Sequence, residues 1–412
     1  MSYIKPFSYN DFLTYKIQDG DTPESVAEKL DIDLYTLRSY HNRYCESVED
    51  CIGSNFPNHL EYLIIQSEEE KKEKEAYREK IHFSTKDFRL PFLPARLDKK
   101  YLAMYEIESG SEKHSVKEEL SVKWLATDTN NYSLIEIDRK AIYINDNYSK
   151  NVSEELAEKT AAIFYPLQTV VDPDGKWVGI YNFDAIRDRW YKIKRNILEE
   201  FNGKAVVERL KAFENKLEHS DIITESFSYD WFLRAFFNGI NVEYKEELTF
   251  QNIIRFPVSQ KIGEAKFLVE QKILPAVDKY NLVNITQKGL LSDNRSKNDF
   301  ENGFPFSQYD SEVTDSEKVQ GTFEAYYFLD PNTNTIESLF LECEIKLNVP
   351  QKVTITISNL DEQGKLTLAT GNDLYISEES KSQKGEHGLL WVLIVIVVIL
   401  ILAIYGVIKF YF

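Results

Sequence analysis

The chain has 412 residues, 43% of them hydrophobic and 28% charged, with 25 Tyr, 25 Phe and 5 Trp. That is ample apolar area for packed cores, so a wholly disordered chain is excluded, and the length suits a few domains of roughly 100 to 200 residues each. Asp and Glu number 67 against 49 Lys and Arg, a net charge of -18, and the resulting field repels phosphate backbones and speaks against a nucleic-acid partner.

At the front, residues 1–10 hold no cationic stretch leading into an apolar core, so no secretory signal is expected. Phe12 to Gln18 reads as a strand. Asp19-Gly20-Asp21-Thr22 then supplies a turn and a helix cap, with Pro23 suited to the first helical position. A short helix with Val26, Ala27 and Leu30 on one face follows, then a second, capped by Asp33, with Leu34, Leu37 and His41 in a stripe. Glu61 to Gln66 returns as a strand, giving the order β-α-α-β. The three cysteines, Cys45, Cys51 and Cys343, are too sparse for a disulfide-stapled secreted domain and suit a reducing compartment. Cys45 and Cys51 are near enough in sequence to pair if oxidised.

The run Tyr15-Lys16-Ile17-Gln18-Asp19-Gly20-Asp21-Thr22, continued by Pro23 to Leu30, by Leu34, Leu37 and Asn42, and by Leu63-Ile64-Ile65, resembles the LysM module. The resemblance covers residues 9–66 and implies a bacterial source and a shallow groove that binds N-acetylglucosamine-containing glycans such as peptidoglycan. One wall of that groove would be Asp19, Gly20, Asp21 and Thr22. The other would be Phe56, Pro57, Asn58 and His59, which stand where the family has a shorter loop ending in Pro-Gly-Gln. LysM-like modules also serve as protein-docking parts in contractile injection machines, so a protein ligand is an equal expectation.

Ser67 to Lys80 is almost wholly charged and reads as an exposed helical spacer. Arg89 to Arg96 holds two prolines and ends any helix, which places a linker over 67–100. From Tyr101 to about Ile376 strands predominate, with helices grouped between 153 and 238. Hairpins are expected at Asp172-Pro173-Asp174-Gly175, Asp330 to Asn334 and Asp361 to Gly364. The body is expected to be antiparallel α+β, in two subdomains, 101–247 and 248–377.

Motifs that carry chemistry are few. Asp172-x-Asp174-Gly175 has the start of a calcium loop, but Phe183 stands where the loop needs its last acid, so a plain turn is expected. The histidines, His41, His59, His82, His114, His219 and His387, are scattered without metal-ligand spacing. No P-loop, GxGxxG or GxSxG occurs, so no catalytic residue, metal or cofactor is assigned. Trp231, Phe232, Phe236 and Phe237 read as core in preference to a docking patch.

Leu389 to Ile408 (LLWVLIVIVVILILAIYGVI) carries no charge over twenty residues and as a helix would be ~30 Å long, the thickness of a bilayer core. It reads as a single transmembrane helix after a polar linker, 378–388, with Leu389, Trp391 and Ile408 as anchor positions. Lys381 and Lys384 before it, against Lys409 after it, favour an N-terminal bulk on the cytoplasmic side of the cell inner membrane. The expectation is a non-enzymatic, tail-anchored adaptor or component of a contractile injection or type VI-like secretion machine, recruiting a protein partner at the bilayer. The rivals are a peptidoglycan tether and a membrane-attached enzyme or toxin without a legible motif.

Overall fold

A computed structural model describes residues 8, 9, 12–66, 80–86, 88–144, 152–201, 203–259, 262–278, 280–308 and 318–360. All but the last residue of the expected spacer, the turn at Asp361 to Gly364, the polar linker and the apolar run with Leu389, Trp391 and Ile408 lie outside these. Among the described residues no helix is long and apolar enough to cross a membrane.

The fold is α+β and is dominated by one large antiparallel sheet. In front of it stands a small unit. β1 (Leu13–Lys16) pairs antiparallel with β2 (Tyr62–Ile65), and α1 (Pro23–Leu30) and α2 (Leu34–Tyr44) lie between them in sequence. Its core is Val26, Ala27, Ile32, Leu37, Ile52, Leu60 and Leu63. His41 of α2 is fully buried there: its Nδ1 accepts from Ile64 N–H at 3.0 Å and its Nε2 lies 3.0 Å from the Asp50 carbonyl. An imidazole that accepts at Nδ1 must hold its proton at Nε2, so the ring is neutral, and burial pushes its pKa down to about 4.

The large sheet has eleven strands. β3 (Asp98–Ser109), β4 (Glu112–Thr127), β5 (Ser133–Ile144), β6 (Leu167–Val171) and β7 (Trp177–Ile180) form one meander. β8 (Thr249–Ser259), β9 (Gly263–Ile273), β10 (Val283–Leu291), β11 (Gln320–Leu329), β12 (Ile336–Lys346) and β13 (Gln351–Asn359) form a second. The two join where β3 pairs with β13, as in Ala103 opposite Ile357. The boundary expected near residue 248 therefore divides two meanders of one sheet, and a single hydrophobic cluster runs from Leu90 to Ile357. The Pro-containing stretch expected to link the domains is part of the body from Lys80 onward. Leu90 is fully buried and donates its N–H to Val242 O at 3.2 Å, and Arg89 pairs with Asp174.

Strand alternation gives the sheet two different faces. Tyr101, Ala103 and Tyr105 of β3, and Val353, Ile355 and Ile357 of β13, enter the main core. α7 (Trp231–Phe236) packs on β3 through Phe236 against Tyr101 and Trp231 against Tyr105, and the same core takes in α4 (Phe183–Glu200), with Ile186, Trp190 and Ile197 inward, α5 (Lys204–Leu217) and α6 (Ser220–Phe227). Two short helices complete the body, α3 (Val152–Ala161) and α8 (Lys297–Asn302). Phe232, Phe236 and Phe237 are buried and Trp231 is half-buried against the same core, so the aromatic cluster in and just after α7 packs as core, with Trp231 at its margin. Asp172 Oδ1 accepts from the N–H groups of Asp174 and Lys176, each at 2.9 Å, which makes that motif a hairpin turn.

The edge strand β8 is closed by side chains. Asn252 Oδ1 accepts from Ile253 N–H at 2.7 Å, Arg234 donates to Arg255 O, and Trp231 Nε1 donates to Pro257 O at 2.7 Å. Pro257 itself offers no donor. These are the devices that stop an edge from recruiting another strand.

Candidate functional site

The first of the two loops singled out by sequence joins β1 to α1. Gly20 takes φ +83, a left-handed conformation that glycine adopts without steric cost, and this lets Asp21 N–H close the turn onto Gln18 O at 3.0 Å. Asp21 does not present its carboxylate outward. Oδ2 accepts from Tyr15 OH at 2.8 Å and from Gln18 N–H at 2.9 Å, and Oδ1 pairs with Lys29. The Lys29 ammonium, foremost among these, holds the Asp21 carboxyl down at about 2. Thr22 is likewise committed: its Oγ1 accepts from Ser25 N–H at 3.1 Å while Ser25 Oγ accepts from Thr22 N–H at 2.9 Å, a reciprocal cap of α1. Asp19, Gly20 and Thr22 are exposed, and because the Thr22 hydroxyl oxygen is taken up by the cap, Asp19 and Gly20 are what this loop offers freely to a ligand.

In the second loop Phe56 is half-buried against the small core, and Pro57 O accepts from Leu60 N–H at 3.0 Å. Asn58 and His59 are exposed, and His59 Nε2 lies 3.2 Å from Asp50 Oδ1. Among the described residues no hydrogen bond, ion pair or ring contact joins the 19–22 loop to the 56–59 loop.

What positions both loops is the docking of the small unit on the sheet face opposite the helices. α2 buries two faces. Its Leu37 and His41 point into its own core, and Tyr35, Arg38, Ser39 and Asn42 point at the sheet. Tyr35 stacks on Tyr326 with ring centroids 3.9 Å apart and tilts against Phe340 at 4.7 Å. The Arg38 guanidinium lies 4.7 Å above the Phe340 ring and donates to Glu24 Oε1 at 2.8 Å. Ser39 Oγ meets Ser338 Oγ at 2.6 Å, Asn42 Nδ2 donates to Ser358 Oγ at 3.3 Å, and Ser54 N–H donates to Glu106 Oε1 at 2.9 Å. Cys45 and Cys51 complete the seam against Leu102 and Met104. They are thiols with Sγ atoms 3.5 Å apart, while Cys343 lies in the main core, where burial pushes its thiol up. None of residues 19–22 or 56–59 takes part in these contacts.

The docking residues escaped the sequence reading because a helix covered on two sides has no simple polar face. The signal was present as a second i, i+3, i+7 series, Tyr35, Arg38 and Asn42, one position out of phase with the first.

A second polar cluster lies on the helix side of the sheet. Arg139 Nη2 donates to Tyr165 OH at 2.6 Å and pairs with Glu118 Oε1 at 3.2 Å, and Tyr105 OH reaches Glu118 Oε2 at 3.4 Å. Asp230 caps α7 by accepting from Leu233 N–H at 2.9 Å. Burial, with the Glu118 carboxylate adding to it, raises the Asp230 carboxyl to about 6. Among the described residues no group of three or more His, Cys, Asp or Glu is placed to hold a metal ion. A small cleft between Phe92, Leu97, Phe236, Asn241 and Ile336 has room for ≈ 30 Å³, about one water molecule.

No protein-family model matches the chain. No curated protein sequence matches it. Among solved structures, one described as "Lipid-protein interactions in lipovitellin" is similar over 69% of this chain, at 10% identity and a TM-score of 0.35. This chain spans 27% of the length of that one, and a likeness at such a score does not extend to function.

Proposed function

We propose that the chain is a non-enzymatic, membrane-tethered bacterial adaptor: a LysM-like unit carried rigidly on a large sheet, held at the cytoplasmic face of the inner membrane by Leu389 to Ile408, recruiting a protein partner. A contractile injection or type VI-like secretion assembly is the setting this reading favours. The observation that supports it is the seam from Tyr35 to Asn42. It fixes the small unit on the body yet leaves Asp19, Gly20, Asn58 and His59 uncovered, so unit and body present one composite surface of set geometry. Confinement to the bilayer raises the effective concentration of such a surface, so contacts of modest strength suffice.

Glycan binding at the same loops is the second reading, and the exposure of those four residues favours it equally. The commitment of Asp21 and Thr22 to bonds within their own loop favours the protein ligand, because the side chains left for acetamido and hydroxyl groups are fewer.

Two measurements test the pair. A reporter fused ahead of residue 1 and probed by protease in spheroplasts stays protected if the bulk is cytoplasmic; digestion there overturns the adaptor reading. Capture of the full chain on purified sacculi that is abolished by Gly20→Trp selects the glycan instead.

A further inference from the structure

The side chains of β8, β9 and β10 that alternate with the buried ones point to the face on which the small unit docks, and Ile253, Leu268 and Leu290 among them are exposed there. Ile253 sits opposite Leu268, and Leu268 opposite Leu290, so the three form one unbroken row across the strands. Their exposures are 49%, 53% and 69%. With directly opposed residues ~5 Å apart, this is an apolar ridge ~10 Å long.

Its surroundings are basic. Arg255 and Lys266 stand opposite each other on one side of the row, and Lys288 and Lys272 lie on the other, where Glu270 and Glu324 flank Lys288 on β9 and β11; Glu264, the remaining acid on this part of β9, pairs with Arg234 at 2.9 Å, so the four cations outnumber the two acids left without such a partner. In a chain of net charge -18 this corner has the opposite sign. Salt screens exposed charges beyond ~10 Å, so an approaching surface responds to the corner and not to the whole molecule.

We propose that this corner rests on an anionic bilayer, with Ile253, Leu268 and Leu290 entering the headgroup layer and Arg255, Lys266 and Lys288 meeting phosphate groups. The proposal depends on the reading of Leu389 to Ile408 as a membrane anchor. A second copy is a poorer occupant. The β8 edge is already closed by Asn252, Arg234 and Trp231, and three side chains fall far short of the ~800 Å² per partner that a stable dimer buries. The bilayer is at hand, because residues 361–388, between the last described residue and the apolar run, reach at most ~100 Å when fully extended. Three apolar side chains bind lipid weakly on their own, and the tether supplies the concentration that makes the contact persistent.

The test uses the full chain in lipid nanodiscs, with an environment-sensitive fluorophore on Leu268→Cys, or on Tyr181→Cys at the opposite edge of the sheet as the control. Co-elution with the disc reports the anchor independently. In discs containing phosphatidylglycerol, brominated acyl chains should remove about half of the emission at 268, since interfacial side chains reach ~5–10 Å into the headgroup boundary, and leave 181 unchanged. Added Leu290→Glu or high salt should restore that emission. A chain that co-elutes with the disc but shows no quenching at 268 overturns this proposal and spares the anchor. Two copies per disc by mass, with 268 shielded equally in neutral lipid, overturn it in favour of a dimer. Failure to co-elute overturns the anchor and the proposal with it.

Discussion

Tyr35 lies flat on Tyr326, with centroids 3.9 Å apart and planes 23° from parallel, although one ring belongs to the N-terminal unit and the other to the sheet. A stack of that geometry adds ~0.5–1.5 kcal/mol beyond the area it buries. The contact is the centre of the seam that makes one body of two.

Removing it should loosen the unit before the sheet. Tyr35→Ala and Tyr326→Ala, made singly and together, should show a coupling of ~1 kcal/mol in denaturant unfolding. Limited proteolysis of either variant should cut within residues 12–66 at denaturant concentrations where the body persists. Strict additivity of the two changes would mean that the rings touch without holding the unit.

His41 and Asp230 pull stability in opposite directions over nearly the same pH range. His41 has its folded pKa lowered, from 6.5 to about 4, so its contribution is complete above pH 6.5 and is lost as pH falls towards 4. Asp230 has its folded pKa raised, from 3.8 to about 6, so its contribution is complete below pH 3.8 and is lost as pH rises towards 6. Each slope is ~1.4 kcal/mol per pH unit, and the two should nearly cancel in the natural chain between pH 4 and 6.

Asp230→Asn keeps the helix cap and removes the titration. It should stabilise the chain by ~2 kcal/mol at pH 7 and unmask the His41 slope, so that stability falls steadily from pH 6.5 to 4. Thermal melts across that range decide the matter. An unchanged pH profile in the variant would place the Asp230 proton elsewhere.

Arg295 is nearly completely buried and ties the β8–β9 turn to α8. It donates to Ile262 O at 2.9 Å, Phe304 O at 3.0 Å, Glu264 O and both Asp293 oxygens, and its guanidinium lies 4.1 Å over the Phe300 ring. Arg295→Ala leaves Asp293 with backbone N–H donors but without its charge partner, and strips the Ile262, Glu264 and Phe304 carbonyls of theirs, and should cost ~3–5 kcal/mol. Arg295→Lys should recover little of it, because an ammonium cannot supply the planar fork that these acceptors surround. Equilibrium unfolding of the two variants measures this directly.

Much of the secondary structure was legible in the sequence. The β-α-α-β order of the N-terminal unit, the hairpin at Asp172, the helices between 152 and 236 and the strands β11 to β13 all carry local periodicities or turn residues that act within a few positions. The cap at Thr22, ahead of Pro23, was legible in the same way, but the committed state of Asp21 was not. Both occupy positions expected to form a ligand wall, and only the tertiary structure shows Tyr15 and Lys29 already holding Asp21.

What the sequence by itself determined is therefore the inventory: the elements, the two small-unit loops, the acidic balance and an apolar run of bilayer length. The tertiary structure decided how these meet. Pairing of β3 with β13 merges two expected subdomains into one sheet, a register between segments some 250 residues apart that no local pattern encodes. Alternation along a strand says which side chains share a face but not what covers it. Tyr326 and Phe340 lie under α2, whereas Ile253, Leu268 and Leu290, with the same alternation, lie open, because a face is buried only where another element has enough matching surface to displace water from it.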